Sequence, residues 1–347
     1  MIAWVGTLKV GILNGGGDCA GLNAVTRAIV RKCDQFGYEV IGIRHGWAGL
    51  LDVDTVPLRW EDVSHIINVG GTILHTTRTN PFNHPNGPER VLTNVKGLGL
   101  EAVIAVGGED TLSVAAKLAD MGLKVVGVPK TMDNDIAETD VTFGFDSATN
   151  VAVEAIDRIQ TTGESHDRIM VVEVMGRHAG WIAAYAGIAS GANLVLVPEK
   201  PFDLDQVATF LKRRHQAGAT ASIVVVGEGC SITGSPPGDP TKADEFGHPR
   251  LGGIGDLLAK EIEKRVGIET RAVILGHVVR GGPPSAADRM LATRLGLAAV
   301  VAVKNREYGV MVCIRGNKLS KIPIEAILGK RRELDDEILA VLDDFQI

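Results

Sequence analysis

The chain has 347 residues, of which 45% are hydrophobic, enough for a large core and too many for one ordinary compact domain, so two domains are expected. The formal net charge is −6 with acids and bases interspersed, and only 4% of residues are aromatic. Nucleic acid and an anionic membrane surface are therefore disfavoured as partners, and an anionic small substrate must meet Arg and Lys placed locally.

The first thirteen residues are apolar, but they carry no basic leader, are interrupted by Lys9 and run into glycines, so they read as a buried first strand rather than a signal segment. No stretch reaches the roughly 18 apolar residues that a membrane span needs, and a soluble, cytoplasmic protein is expected. Cys19, Cys33, Cys230 and Cys313 are scattered without metal-ligand spacing and read as reduced thiols. Short, continuously apolar, β-branched runs follow at 9–13, 102–106, 124–128, 169–174, 194–197, 222–226 and 272–275. Such runs are strands buried on both faces, as in parallel sheets covered by helices. Helical segments are expected at 21–35, with Asn23 near its start, and at 111–121, 147–160, 205–217, 253–266 and 285–305. The predicted fold class is α/β. Residues 231–247, rich in Gly, Pro, Ser and Asp, read as a surface insertion, and Lys330-Arg-Arg332 before an acidic last helix reads as a solvated flank.

Three strand-to-helix or strand-to-loop turns carry chemistry. Leu13-Asn-Gly-Gly-Gly-Asp-Cys-Ala-Gly-Leu-Asn23 lets backbone N–H groups approach a phosphate at a helix N-terminus. Its spacing also fits a dinucleotide fingerprint, but the ribose-binding acid expected about 20 residues later is replaced by Arg44, which leaves a phosphate loop or a plain tight turn. Val106-Gly-Gly-Glu-Asp-Thr-Leu112 puts adjacent carboxylates at a helix opening at Thr111, either as a magnesium and phosphate site or as a simple N-cap. Val128-Pro-Lys-Thr-Met-Asp-Asn-Asp-Ile136 follows a buried strand and spaces Asp133 and Asp135 so that one can act as base while the other reaches a metal; Asx turns are its bland alternative.

In order along the chain, these motifs together with Met175-Gly-Arg177 and Gly276-His-Val-Val-Arg-Gly-Gly282 resemble the 6-phosphofructokinase family, over residues 9–298. The resemblance is to the pyrophosphate-using or mixed-donor branch. It implies paired Rossmann-like α/β/α domains: a phosphoryl-donor domain of residues 1–144 completed by 279–329, and a fructose 6-phosphate domain of residues 145–278 completed by 330–347. It implies that Asp133 takes the proton from the C1 hydroxyl of fructose 6-phosphate, with Thr131 beside the transferring group. Mg2+ would sit on Asp135 and on Glu109, which stands where the family usually has aspartate. Arg78 would neutralise the transferring phosphoryl group, and Gly16, Asp110, Thr111 and Lys130 would meet the donor. Arg168, Met175, Gly176, Arg177, Glu228, Arg271, His277 and Arg280 match the sugar-phosphate residues, where guanidinium forks suit a dianionic phosphate. Arg168 and Arg271 would reach a neighbouring subunit's site, which implies a homodimer or homotetramer. Outside that resemblance His277 reads as a core histidine, and His166 and His178 have no assigned role.

Donor choice follows from two positions. ATP-dependent members of the family typically carry glycine where this chain has Asp110, so a nucleotide would meet a clash and a like charge that pyrophosphate stops short of. Such repulsion costs several kcal/mol, about two to three decades of affinity. Lys130 stands where ATP users commonly have glycine, though some ATP-dependent relatives also carry the lysine. The predicted activity is reversible transfer from pyrophosphate to fructose 6-phosphate. The alternatives are an ATP-dependent or dual-donor kinase of fructose 6-phosphate or sedoheptulose 7-phosphate, and a non-catalytic sugar-phosphate-binding regulator. The family's nucleotide-effector positions fall on Gln160, Asn193, Ala217 and Ala219, which offer few cations, so control by ADP or phosphoenolpyruvate is not expected.

Overall fold

The computed structural model describes residues 8–233, 239–243, 246–247 and 249–345. Its strands are β1 (Lys9–Asn14), β2 (Glu39–Ile43), β3 (Thr55–Leu58), β4 (Leu100–Gly107), β5 (Val125–Thr131), β6 (Phe143–Gly144), β7 (Ile169–Val174), β8 (Leu194–Leu196), β9 (Ser222–Gly227), β10 (Asp239–Ala243), β11 (Pro249–Arg250), β12 (Thr270–Ile274), β13 (Val310–Arg315) and β14 (Lys318–Pro323). Eight of them form one sheet in the order β14-β13-β5-β4-β1-β2-β3, with β6 beside β5. Its inner pairs are parallel, and the outer β2–β3 and β13–β14 pairs are antiparallel. A second, four-stranded sheet runs β12-β7-β9-β8, parallel throughout. Helices pack against both sheets, so the α/β class read from the apolar runs is the class observed.

Those runs are continuous because both faces of each inner strand are covered. Val103, Ile104, Ala105 and Val106 in β4, and Val171 and Val172 in β7, are fully buried. Each buried Val or Ile contributes about 1.5–3 kcal/mol relative to exposure, which fixes these strands as the frame on which the loops at their C-terminal ends are carried.

Three boundaries differ from the expectation in ways that matter for the site. β5 does not stop at Val128 but continues through Lys130 and Thr131, whose backbones pair with Phe143 and Gly144 of β6. The helix after β4 is Glu109–Asp120 and starts two residues before Thr111, with Gly108 as its N-cap and no side-chain cap. Glu109 and Asp110 are therefore first-turn residues, favoured there by the macrodipole, and neither is the N-cap. The helix expected from 147 begins at Phe145 and runs to Ser165. It is pinned across the chain: the Asp288 carboxylate accepts the Ser147 N–H at 2.8 Å and its hydroxyl at 2.5 Å. Asp288 lies in the first turn of the helix Ala286–Lys304, whose N-cap is Ser285. The expected 231–247 insertion falls partly outside the described residues; within the described part β10 pairs antiparallel with β11. All four cysteines are buried free thiols. Among the described residues no helix is long and apolar enough to cross a membrane.

Candidate active site

The C-terminal ends of β1, β4 and β5 lie side by side, and the turns that leave them meet in one cleft. It is lined by Gly16, Gly17, Arg78, Gly108, Glu109, Asp110, Thr111, Lys130, Thr131, Asp133, Asp135, Arg177, His178, Arg280 and Arg331. Thr111 is the packing centre between the first two of these turns. A side chain at Gly15 would come within 2.5 Å of its Oγ1, and one at Gly107 within 2.3 Å of its Cβ. Both turns must be glycine for the strands to converge this closely. Gly16 donates its N–H to Thr77 O at 3.0 Å, and the Thr76 hydroxyl donates to Gly16 O at 2.7 Å, which fixes the segment bearing Arg78 against the glycine turn.

Lys130 is 3% exposed, and its ammonium donates to Gly17 O. Burial pushes its pKa below the ordinary lysine value, with the nearby Asp133 and Asp18 charges pulling the other way. Arg280 donates to Asp18 O at 3.0 Å, so a residue on the far return of the chain closes over the first loop.

The acid loop begins immediately after β5. Asp133 N–H is held by Thr131 Oγ1 at 3.1 Å, and the buried Asp133 Oδ1 has no hydrogen-bond partner. That oxygen is an acceptor awaiting a proton donor. Burial, reinforced by the charges of Asp133 and Glu109, pushes the Asp135 carboxyl up to about 7. The Arg331 charge pulls it the other way. Among the described residues no group of three or more His, Cys, Asp or Glu side chains is arranged to hold a metal. Magnesium at a phosphate site does not ask for one, since it takes one or two carboxylates and fills its shell with phosphate and water oxygens. Glu109 and Asp135 fit that demand.

The residues expected from the sequence to meet the sugar phosphate come from further along the chain. Met175 and Gly176 follow β7, Gly176 at φ +139°, and Glu228 follows β9. Glu228 N–H donates to Val174 O at 2.8 Å. Its carboxyl is pushed up to about 7, chiefly by burial and then by the Asp133 charge. Arg177 and Arg280 reach the cleft. His277 sits exposed in the short turn Gly276–Arg280, so a core role for it is excluded. Arg168 and Arg271 do not reach the cleft. They lie together at the N-terminal ends of β7 and β12, where both pair with Glu269. Gln160, Asn193 and Ala219 share a separate surface cavity with Arg214.

Two sequence readings are corrected by the cleft. Lys330-Arg-Arg332 is not simply a solvated flank. Arg331 forms an antiparallel bridge with Ile136 and lines the cleft, while Arg332 lies 3.9 Å over the Trp181 ring. The backbone of the acid loop needs an edge partner, and this segment provides it. His178, given no role from the sequence, also lines the cleft. Gly17 and Gly108 were missed as well, although the runs of glycine around them were the available signal.

The phosphofructokinase family model matches residues 9–303. Over 319 residues the chain is 54% identical to the pyrophosphate--fructose 6-phosphate 1-phosphotransferase of Amycolatopsis methanolica, covering 91% of this chain and 93% of that one. It is also 50% identical to ATP-dependent 6-phosphofructokinase 3 of Streptomyces coelicolor, with 91% and 94% covered. The fold is shared with the crystal structure of pyrophosphate-dependent phosphofructokinase from Marinobacter aquaeolei, at a TM-score of 0.83 and 19% identity, covering 97% of this chain and 91% of that one. The chain belongs to the phosphofructokinase family.

Proposed function

We propose that this chain transfers a phosphoryl group from pyrophosphate to the C1 hydroxyl of fructose 6-phosphate, giving fructose 1,6-bisphosphate and phosphate, and that it runs in both directions. The observation that carries the donor assignment is Asp110, which lines the cleft from the first turn of the helix Glu109–Asp120, beside Glu109. A carboxylate there adds charge repulsion and bulk in the space a nucleotide would need, while a diphosphate ends short of it. The relatives of about 50% identity include both donor classes, so the donor reading leans on the charge at Asp110 as well as on overall similarity.

The chemistry needs a base, a sink for charge and a fixed geometry. Asp133 takes the C1 hydroxyl proton on its unpartnered Oδ1, the hydroxyl oxygen bonds to the transferring phosphorus, and the bridging P–O bond breaks to release phosphate. Lys130 and Arg78 hold the phosphoryl oxygens as charge shifts towards the leaving group. Thr131 orients the loop through its bond to the Asp133 backbone. Glu109 and Asp135 would hold magnesium, which supplies charge neutralisation on the donor phosphates when bound. Arg177, Glu228, His277 and Arg280 with the Met175-Gly176 turn receive the sugar phosphate. The division of labour is residues 1–144 with 279–329 for the donor and 145–278 with 330–347 for the acceptor. Arg168 and Arg271 serve a neighbouring subunit's site, a role supported by their placement at the far end of the smaller sheet, paired to one carboxylate.

The test is a matrix of donors (pyrophosphate, ATP) and acceptors (fructose 6-phosphate, sedoheptulose 7-phosphate) with magnesium. Strong activity with pyrophosphate and little with ATP is expected; the reverse would refute the donor assignment.

A further inference from the structure

The acid loop is held from behind by a segment that no chemical motif marked. Ile136 and Arg331 form an antiparallel bridge, and Arg332 N–H donates to Asp135 O at 2.9 Å. The same segment is tied to the acceptor side. Trp181 Nε1 donates to Arg332 O at 3.1 Å, and the Glu199 carboxylate accepts both Leu334 N–H at 3.1 Å and Gly180 N–H at 3.0 Å. The backbone at Arg331 is therefore fixed between the two halves of the cleft.

Successive side chains on such an extended segment point to opposite sides. Arg332 turns to Trp181 and pairs with Asp335 at 3.6 Å, and Lys330 pairs with Glu138 at 3.7 Å. Arg331 turns the other way, into the cleft, where it shares the lining with Asp135 and Glu109. The guanidinium and the Asp135 carboxylate face the same space without closing an ion pair across it. The carboxylates Glu109, Asp110, Asp133 and Asp135 line that space, and a polyanionic donor must enter it. A guanidinium fork on a fixed backbone, lining the same cleft as Gly16 and Asp135, adds a cation able to meet phosphate oxygens from the Asp135 side.

We infer that Arg331 is a donor-contact residue, binding the phosphates of pyrophosphate from the side of Asp135; this rests on the pyrophosphate reading given above. The experiment compares the wild type with Arg331→Ala, Arg331→Gln and Arg331→Lys. Calorimetric binding of the magnesium complex of imidodiphosphate, a non-transferable diphosphate analogue, is measured beside the KM of each substrate. The expected result for Ala and Gln is a loss of analogue affinity of about tenfold or more with a matching rise in the pyrophosphate KM, the fructose 6-phosphate KM holding within about twofold. Lys should recover part of the loss. Unchanged analogue affinity overturns the inference, as does a fall in kcat with both KM values kept, which would make Arg331 a positioning residue for Asp135. Unfolding of the exposed Ala variant is checked by its Tm, and the Gln variant gives a second reading. If the wild type binds a non-hydrolysable ATP analogue and not the diphosphate, the donor reading has failed, and the same variants measured with that ATP analogue still decide Arg331.

Discussion

The residues proposed to meet the donor and those proposed to meet the acceptor are carried by the fold in different ways. The donor side is largely local: three turns at neighbouring strand ends, packed through Thr111 and Lys130, each 3% exposed, with Arg78 the exception, brought in on a separate segment. The acceptor side is assembled from distant returns of the chain. Met175, Glu228 and Arg280 come from separate elements, and the C-terminal segment at Arg331 and Arg332 bridges the halves. Chemistry that must be exact to fractions of an ångström sits on short, buried turns, whereas recognition of a larger substrate is spread over long-range contacts.

The comparison is most exposed at the residue both sides share. Asp133→Asn removes the proton acceptor while keeping the shape of the loop, and kcat should fall by about 10²–10⁴-fold with both KM values little changed. A loss confined to KM would move Asp133 from base to binding group. Next in size is the donor side alone. Asp110→Gly should raise kcat/KM with ATP by about two decades and erode the preference for pyrophosphate, leaving the fructose 6-phosphate KM in place. Unaltered donor preference would show that the gate lies elsewhere.

The same division explains what was legible. Strands buried on both faces announce themselves as unbroken apolar runs, and local loops announce themselves by composition, so β1, β4, the body of β5 and the glycine-rich and acidic loops that follow them are legible. Where β5 ends was not, because Pro129-Lys-Thr131 reads as a turn until β6 pairs with it, and that pairing is a tertiary event. Glu109 and Asp110 read as cap candidates because an N-cap is commonly an acid, but the extended Gly108 takes that place. The contacts of Arg331 and Arg332 are not legible because a run of charge is ordinarily solvated, as Arg331 still is; their partners, Ile136 and Trp181, lie 195 and 151 residues away in sequence. No local pattern encodes such contacts.

The bridge between the halves gives a smaller effect with a distinct signature. Arg332→Ala removes a cation stacked on Trp181, worth about 0.5–2 kcal/mol, while leaving the backbone bond to Asp135 available. Tm should drop by a few degrees, and kcat should fall by only several-fold, since the loop is loosened and not dismantled. An unchanged Tm would mean that the stacking contributes nothing to holding the segment.

The acceptor side offers the finest test, through Glu228. Burial and then the charge of Asp133 push its carboxyl up to about 7, so the folded chain holds that proton more tightly than the unfolded chain does. Where the folded state binds more protons, stability falls as pH rises. The contribution is complete at pH below the ordinary carboxylate range, is lost progressively as pH climbs towards about 7, and is flat beyond it. Thermal unfolding of the unliganded protein at about pH 5 and about pH 8 should therefore show a lower Tm at the higher value, by a few degrees, after the charge is forced into a buried site. Glu228→Gln keeps the shape and removes the titration, and it should shrink that difference without abolishing it, because burial also shifts Asp135, up to about 7, and Glu173 upwards. An identical pH slope in the variant would place Glu228 in water in the free enzyme, and the acceptor side would then be less enclosed than the donor side by more than its assembly from distant elements implies.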